Sequence, residues 1–157
     1  MIRVMFVCLG NICRSPMAEA IFCDLIKKEQ LNDKITVDSA GTGGWHIGNP
    51  PHPKTIAILK KHNISTEGLV AQQISKQDKD KIDYIIAMDE QNKQDLLQLF
   101  GEDDSIEFAK LMDFVDETAE KDVPDPYFTG NFTYTYELIS KGCHQLLQYL
   151  KDKHSIS

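Results

Sequence analysis

Apolar residues along the chain follow two patterns, one typical of buried strands and one typical of amphipathic helices. Short apolar runs rich in β-branched residues predict four strands, over residues 4–7, 35–39, 82–88 and 106–112. Apolar residues at helical spacing follow each run and predict helices over residues 16–30, 53–62, 90–100 and 132–153. Because strands that alternate with helices pack as a parallel sheet with helices on both faces, the pattern predicts an α/β fold.

Two long segments interrupt this pattern and predict loops. Residues 41–53 hold four glycines and three prolines, and residues 113–131 hold two prolines. Right-handed crossovers bring the carboxyl ends of parallel strands to one edge of the sheet. The loop after the first strand, the loop after Ser39 and the turn at Asp89 are therefore expected to open on that edge, where such folds bind ligands.

Length and charge narrow the range of functions. With 157 residues, 41% of them hydrophobic, the chain is expected to form a single domain over residues 1–157. Its net charge of −7 repels nucleic acid and acidic membrane surfaces, so neither is an expected partner. No run approaches the ~18 apolar residues of a membrane span, and no signal-peptide pattern is found. These features predict a cytoplasmic protein.

The spacing of the cysteines and histidines indicates neither a set of disulfides nor a metal site. The four cysteines lack disulfide-framework spacing, which predicts free thiols in a reducing compartment. The five histidines show no ligand spacing with cysteines or acids. We therefore expect no metal and no cofactor.

The most informative segment joins the first strand to the first helix, from Cys8 to Ser15. Ser15 predicts the N-cap of the helix, and Pro16 its first residue. Backbone N–H groups at a helix start have no partner within the helix, so a tight loop there forms a cradle for a tetrahedral oxyanion. Arg14 adds a guanidinium that can bind two anion oxygens at once. The same positive field favours the thiolate of Cys8, a nucleophile for phosphorus.

A purely structural interpretation competes with this anion site. Cys8 would then be a buried residue that ends a strand, and Arg14 would pair with a carboxylate. The preceding strand, Gly10, Asn11 and the Ser-Pro sequence together favour the anion site. No Gly-Lys-Ser or Gly-Lys-Thr run is present, which excludes a Walker-type phosphate loop.

The segment Cys8–Pro16, which reads Cys-Leu-Gly-Asn-Ile-Cys-Arg-Ser-Pro, resembles the signature loop of the low-molecular-weight protein tyrosine phosphatases. The similarity covers essentially the whole chain and continues through Val37–Thr42, Gly48–Pro51, Tyr84–Asp89 and Asp125–Tyr127. The order and spacing of these segments make it specific. The resemblance implies a single doubly wound, Rossmann-like domain with four parallel strands in the order 2-1-3-4. It also implies hydrolysis of phosphotyrosine and small aryl phosphates through a phosphocysteine intermediate.

The resemblance also assigns catalytic roles: Cys8 as nucleophile, Arg14 as anion-binding group and Asp125 as general acid. An isolated Asp-Pro sequence more often forms a solvated Asx turn. The family match favours the role of general acid for Asp125. Ser15 either caps the helix or, as the resemblance implies, donates to the Cys8 sulfur. The loop is expected to bind the phosphoryl oxygens through its substrate-binding residues, which are Leu9, Gly10, Asn11, Ile12, Cys13 and Ser15.

Aromatic residues in the two long loops bear on the substrate. Trp45 and Tyr127 are expected to form a slot for an aromatic ring, which favours phosphotyrosine over the shorter phosphoserine. Lone loop aromatics otherwise cover the edge of a core, but in the similar family these positions line the rim of the site. Phe128 departs from the family pattern, which often has a second tyrosine there.

Two loop residues carry paired alternatives. Asn11 either holds the loop in shape by bonding Ser39, a supporting residue, or supplies a left-handed backbone conformation. Cys13 is either a small buried loop residue or a redox residue that forms a reversible disulfide with Cys8 and protects it from over-oxidation.

Two rival functions are less well supported. An arsenate reductase of similar fold would relay electrons through two further cysteines near the third strand, and residues 80–95 contain none. A phosphocarrier that accepts a phosphoryl group on Cys8 needs no leaving-group acid, so Asp125 argues against it. The expected partners are phosphotyrosine proteins as substrates and inorganic phosphate as product and inhibitor of a monomeric enzyme.

Overall fold

The computed structural model describes residues 1–101, 105–116 and 120–156. Four strands lie within these ranges: β1 (Ile2–Cys8), β2 (Ile35–Gly41), β3 (Tyr84–Ala87) and β4 (Glu107–Lys110). The helices are α1 (Arg14–Lys28), α2 (Pro53–Lys61), α3 (Glu90–Phe100), α4 (Pro126–Thr129) and α5 (Phe132–His154). Short 3₁₀ segments span Lys76–Lys81 and Leu111–Phe114.

The strands form one parallel sheet in the order β2-β1-β3-β4, which confirms the predicted fold class and the strand order that the resemblance implied. Cys8 at the end of β1 pairs with Gly41 at the end of β2, and Val7 pairs with Ala87 at the end of β3. The carboxyl ends of these three strands therefore meet at one edge, as the topology rules require.

Helices cover both faces of the sheet because alternate residues of a strand point to opposite sides. On β1, Phe6 and Cys8 pack into the cluster formed with α1 and α5, whereas Met5 and Val7 pack with Leu96 of α3. Cys8 consequently lies on the face that α1 covers, next to the start of that helix.

The boundaries of α1 and β2 differ from prediction. Helix α1 begins at Arg14 rather than Pro16, so the prediction of Ser15 as N-cap is wrong. Cys13 occupies that position without a side-chain cap. Pro16 is tolerated there because the N–H groups of a first helical turn have no helical partner to lose. Strand β2 runs to Gly41 rather than ending two residues earlier, since it pairs with the whole of β1.

The later elements also differ in detail. Strands β3 and β4 are shorter than predicted, although Ile82 and Ile106 just before them are buried. The loop predicted over residues 113–131 contains helix α4, which Pro126 begins and Asp125 caps. Residues 117–119 of that predicted loop lie outside the described residues.

Candidate active site

The first loop, residues 9–13, crosses from β1 to α1 at the sheet edge. Two of its carbonyl groups are bonded to other segments: the Leu9 carbonyl accepts from the Gly43 N–H at 2.9 Å, and the Ile12 carbonyl accepts from the His52 N–H at 2.7 Å. Within the described ranges, the backbone N–H groups of the loop donate to no protein acceptor. The loop thus presents several donors next to a helix N-terminus, an arrangement that suits an oxyanion.

Cys8 lies at the base of this loop and is 3% exposed. Its Sγ is 2.9 Å from the Ser15 Oγ and 3.4 Å from the Ser15 backbone N. The Ser15 hydroxyl therefore contacts the sulfur and does not cap the helix, and its donation to Cys8 stays a prediction.

Arg14 is buried, with 2% of its surface exposed. Its Nη1 donates to Asp89 at 2.7 Å and to the Val123 carbonyl at 2.9 Å, and its Nη2 lies 3.3 Å from Asp125. The carboxylate pairing of the structural interpretation is therefore present. Burial opposes the guanidinium charge, but Cys8, Asp89 and Asp125 outweigh it and raise the pKa of Arg14. The Nε is buried and has no partner among the described residues.

Asp125 reaches the site from the segment before α4. One carboxylate oxygen accepts from the Tyr127 N–H at 3.0 Å, which is the Asx-type turn of the structural interpretation, and the other lies near Arg14. The same carboxylate lines a cavity that also contains Cys8. The structure thus combines the turn with the position expected of a general acid.

Asn11 satisfies both of its alternatives. Its φ of 57° is left-handed, and its Nδ2 donates to the Ser39 Oγ at 3.0 Å and to the Ser15 Oγ at 2.7 Å. Its Oδ1 accepts from the Gln72 N–H at 2.9 Å. These bonds tie the first loop to β2, so Ser39 has the supporting position that was predicted.

The cavity above the sulfur has a volume of about 380 Å³. Its aromatic rim consists of Trp45, Tyr127 and Phe128, which are 70%, 57% and 75% exposed. The structure therefore brings the two predicted slot residues to one cavity. The residues that line it are Cys8, Leu9, Gly10, Ile12, Cys13, Trp45, His46, Asp125, Tyr127 and Phe128.

Sequence reasoning missed two groups at this site. His46 lies against the first loop, where its ring would be 3.1 Å from a Cβ added to Gly10. Asp89 was expected in a turn at the ligand-binding edge, and its carboxylate both accepts from the Asn92 N–H at the start of α3 and binds Arg14. The Tyr84–Asp89 match to the family was the available signal for Asp89, whereas nothing in the sequence singled out His46.

Cys13 is a buried thiol, as are Cys8 and Cys143, and none of the four cysteines is in a disulfide. Burial raises the pKa of Cys13 to about 12, and the charges of Asp125 and Cys8 add to this effect. Cys13 is thus held as the neutral thiol in this structure. Its disulfide with Cys8 stays a prediction.

No metal cluster or membrane helix is found in the part of the chain that the structure describes. No three or more histidine, cysteine, aspartate or glutamate side chains there are arranged to hold a metal ion. No described helix is both long and apolar enough to cross a membrane. The expected absence of a metal or cofactor stays a prediction.

Comparison with known proteins identifies the family. The family model of low molecular weight phosphotyrosine protein phosphatases matches residues 3–156. The chain belongs to this family. The protein-tyrosine-phosphatase YfkJ of Bacillus subtilis is 53% identical over 156 residues, which cover 99% of this chain and 100% of YfkJ. The YfkJ crystal structure matches with a TM-score of 0.95 at 54% identity, over 98% of this chain and 96% of that one.

Two more distant relatives cover nearly the same length. The protein-tyrosine-phosphatase PtpA of Staphylococcus saprophyticus is 45% identical over 150 residues, 96% of this chain and 94% of PtpA. The crystal structure of DARP, a Drosophila arginine phosphatase, has a TM-score of 0.87 at 34% identity, over 94% of this chain and 97% of that one. Family membership makes this chain a phosphotyrosine phosphatase and a hydrolase.

Proposed function

We propose that this phosphatase cleaves phosphotyrosine by two displacements at phosphorus, with Cys8, Arg14 and Asp125 as its catalytic residues. In the first, the Cys8 thiolate bonds to phosphorus while the bond from phosphorus to the tyrosine oxygen breaks, and Asp125 donates a proton to that oxygen. In the second, the Asp125 carboxylate takes a proton from water as the water oxygen attacks phosphorus. Cys8 then leaves as the thiolate, and inorganic phosphate is released.

One observation carries this proposal: a sulfur and a carboxylate from distant parts of the chain line the same cavity, beside a buried guanidinium. Cys8 ends β1 and Asp125 precedes α4, yet both line the cavity, and Arg14 Nη2 lies 3.3 Å from Asp125. The Ser15 hydroxyl, 2.9 Å from the sulfur, supports the thiolate when it leaves in the second step.

Substrate phosphate completes the bonding of Arg14. The Asp89 carboxylate and the Val123 carbonyl hold Nη1, while Nε has no partner among the described residues. A buried donor without a partner is costly, so an anion that accepts from both Nε and Nη2 is favoured. Such binding replaces the long contact to Asp125 and leaves that carboxyl for the leaving group. The N–H groups of residues 9–13 and of Ser15 serve the remaining oxygens.

The aromatic rim selects the substrate in this proposal. Trp45 and Tyr127 contact the phenyl ring of phosphotyrosine, and the apolar side chain of Ile12 lines the cavity beneath them. Stacking on aromatic faces favours an aryl phosphate over an alkyl one. Because the rim rings are exposed, a phosphotyrosine on a protein surface can reach them.

The chemistry of the site bears on where the enzyme acts and on its partners. We assign the enzyme to the cytoplasm, where a catalytic thiol stays reduced, as a monomer whose single domain spans residues 1–157. Its partners are phosphotyrosine proteins, and its net charge of −7 disfavours nucleic acid and membrane surfaces. Inorganic phosphate fits the same cradle and acts as product inhibitor. No cofactor takes part in either displacement.

Cys13 is proposed as the redox partner of Cys8. Hydrogen peroxide oxidises Cys8 to the sulfenic acid, and the Cys13 sulfur then displaces water to form a disulfide. A thiol reductant returns both cysteines to thiols. This position in the first loop, close in sequence to Cys8, supports the pairing, whereas the raised pKa of Cys13 makes its attack slow at neutral pH.

The test of this function compares three substrates: p-nitrophenyl phosphate, a phosphotyrosine peptide and phosphoarginine. The expected result is efficient hydrolysis of the two aryl phosphates and much slower hydrolysis of phosphoarginine. Cys23→Ser is the matched control for thiol chemistry, because Cys23 is on α1 and outside the cavity. A preference for phosphoarginine would contradict the aryl slot.

A further inference from the structure

Glu19 is a half-buried carboxylate that the proposed mechanism does not use. It lies on α1, one turn beyond Ser15, and its Oε1 accepts from the Ser39 Oγ at 2.5 Å. Ser39 is itself buried and belongs to β2. The Glu19 carboxylate is thus hydrogen-bonded to a buried hydroxyl next to the catalytic loop.

A continuous path of hydrogen bonds joins this carboxylate to the catalytic sulfur. The Ser39 Oγ accepts from the Asn11 Nδ2 at 3.0 Å, and the same nitrogen donates to the Ser15 Oγ at 2.7 Å. The Ser15 Oγ is 2.9 Å from the Cys8 Sγ. Every link between Glu19 and the sulfur is within hydrogen-bonding distance.

Asn11 determines the direction of the two central bonds on this path. Its Oδ1 accepts from the Gln72 N–H at 2.9 Å, so its Nδ2 must be the atom that faces the two serines. Each serine oxygen accepts one amide hydrogen and can use its own hydrogen elsewhere. Ser39 donates to the ionised Glu19, and the Ser15 hydroxyl has two acceptors within reach, the Cys8 thiolate at 2.9 Å and the Ala40 carbonyl at 3.4 Å.

We propose that Glu19 is a positioning residue whose ionised form sets these hydrogen bonds, so that the Ser15 hydroxyl donates to the Cys8 thiolate. An ionised carboxylate only accepts, which keeps the Ser39 hydrogen turned away from Asn11. A protonated carboxyl can itself donate to the Ser39 oxygen, and the Ser39 hydrogen is then free to turn toward the amide of Asn11. Protonation therefore weakens the bond that holds Asn11, and through it the alignment of Ser15. This inference rests on the proposed role of Cys8 as nucleophile.

The surroundings of Glu19 place its titration close to neutral pH. Burial raises its pKa to about 7; the Ser39 bond opposes this shift, and the charge of Asp38 adds to it. The other charged or titratable groups around it line a small cavity of about 70 Å³ beside α1, and they are Cys23, Asp24, Lys27 and Glu67. Of these, Asp24 is paired with Lys28, whose Nζ lies 2.9 Å from the carboxylate.

The experiment measures the alkylation rate of Cys8 by iodoacetamide, and kcat/KM for p-nitrophenyl phosphate, from about pH 5.5 to about pH 8.5. Wild type is compared with Glu19→Gln, which keeps the size and an acceptor oxygen but cannot ionise. We expect the ratio of the wild-type rate to the Glu19→Gln rate to rise about fivefold between about pH 6 and about pH 8. This is the factor that corresponds to the net free energy of one ordinary hydrogen bond. Glu67→Gln, at the same cavity but off the path, should follow the wild-type profile.

Superimposable pH profiles for wild type and Glu19→Gln would overturn the inference. Alkylation needs only a reactive Cys8 thiolate, so it tests Glu19 even if p-nitrophenyl phosphate is not hydrolysed, an outcome that would instead contradict the proposed function. If Glu19→Gln does not fold, Glu19→Asp is measured in its place. It retains an ionisable group, so an acid limb that shifts in pH supports the role and an unchanged limb overturns it.

Unfolding supplies a separate readout of the same group. Because the pKa of Glu19 is raised from 4.5 to about 7 in the folded protein, the unfolded chain loses this proton first as pH rises. The contribution of Glu19 to the free energy of unfolding should therefore fall between these two pH values and stay constant above them. Glu19→Gln should remove that fall, measured as the wild-type minus variant difference in urea unfolding. An unchanged pH dependence would mean that Glu19 does not titrate in this range.

Discussion

The floor and the rim of the active-site cavity are held in different ways. The floor, which we define as Cys8, Arg14 and Ser15, is buried, and each of its side chains has a bonded partner. The aromatic rim is mostly exposed, and its hydroxyl and indole groups make no hydrogen bond that fixes them within the described ranges. Hydrogen bonds therefore hold the side chains of the floor, whereas the rim has ring contacts, such as those of Tyr127 with His52 and Phe128.

This difference assigns phosphoryl transfer to the floor and substrate selection to the rim. Phosphoryl transfer requires donors that are already in place around the phosphorus, which a buried network provides. Recognition of an aryl ring depends on contact area, which exposed rings provide without a fixed geometry. Substitutions in the floor should therefore change kcat, and substitutions in the rim should change KM.

The largest effect is expected for Cys8→Ser. Loss of the nucleophile should lower kcat for p-nitrophenyl phosphate by about 10⁴-fold or more, while inorganic phosphate still binds because the loop amides and Arg14 remain. Stopped assays and phosphate titration followed by calorimetry would measure both quantities. If the variant retained activity within tenfold of wild type, in a preparation free of other phosphatases, Cys8 would not be the nucleophile.

Asp125→Asn should have the next largest effect, and it depends on the substrate. Without a proton donor, kcat should fall by about 10²-fold to 10⁴-fold for phosphotyrosine, whose leaving group is poor. The loss should be smaller for p-nitrophenyl phosphate, because its leaving group needs less protonation. Equal losses for the two substrates would argue that Asp125 acts on the fold of the floor and not on the leaving group.

Arg14→Lys keeps the charge of the floor but removes the planar pair of donors. We expect kcat/KM to fall by about 10²-fold to 10³-fold, with a parallel loss of phosphate inhibition, since lysine cannot bind two oxygens side by side. Arg3→Lys, at a surface pair with Asp83, is the matched control and should leave both constants unchanged. If Arg14→Lys behaves like that control, the bidentate interpretation is wrong.

Trp45→Ala should give the smallest effect. Loss of one stacked ring is expected to raise KM for a phosphotyrosine peptide by about twofold to tenfold and to leave kcat almost unchanged. The same measurement on a small alkyl phosphate should show little change. A fall in kcat as large as that of the floor variants would contradict the separation of floor and rim.

The sequence predicted the α/β fold class and the positions of Cys8 and Arg14 because these depend on local patterns, whereas the strand order came from the family resemblance. Strand and helix periodicity predicted β1 and α1. Cys8 is the last residue of β1 and Arg14 is the first residue of α1, so the two lie on either side of the loop that joins these elements. The Ser15 N-cap was wrong because the Ser-Pro signal is local, whereas the contact of Ser15 with the Cys8 sulfur depends on how the loop folds back.

Contacts between distant segments could not be predicted. The bond from Arg14 to Asp89 joins α1 to the start of α3, and His46 reaches the first loop from the glycine-rich segment. Neither depends on a spacing along the chain. The Glu19–Ser39 bond is of the same kind, because it requires the register of α1 on β2.

Both displacements require that a phosphoryl group passes through the Cys8 sulfur. To detect it, the wild-type enzyme is quenched with acid during turnover of p-nitrophenyl phosphate, and the modified peptide is mapped by mass spectrometry. We expect a single phosphoryl group on Cys8, formed together with a burst of p-nitrophenol equal to the enzyme concentration. A phosphoryl group on any other residue, or steady hydrolysis with neither burst nor phosphoenzyme under conditions where water attack is slow, would contradict it.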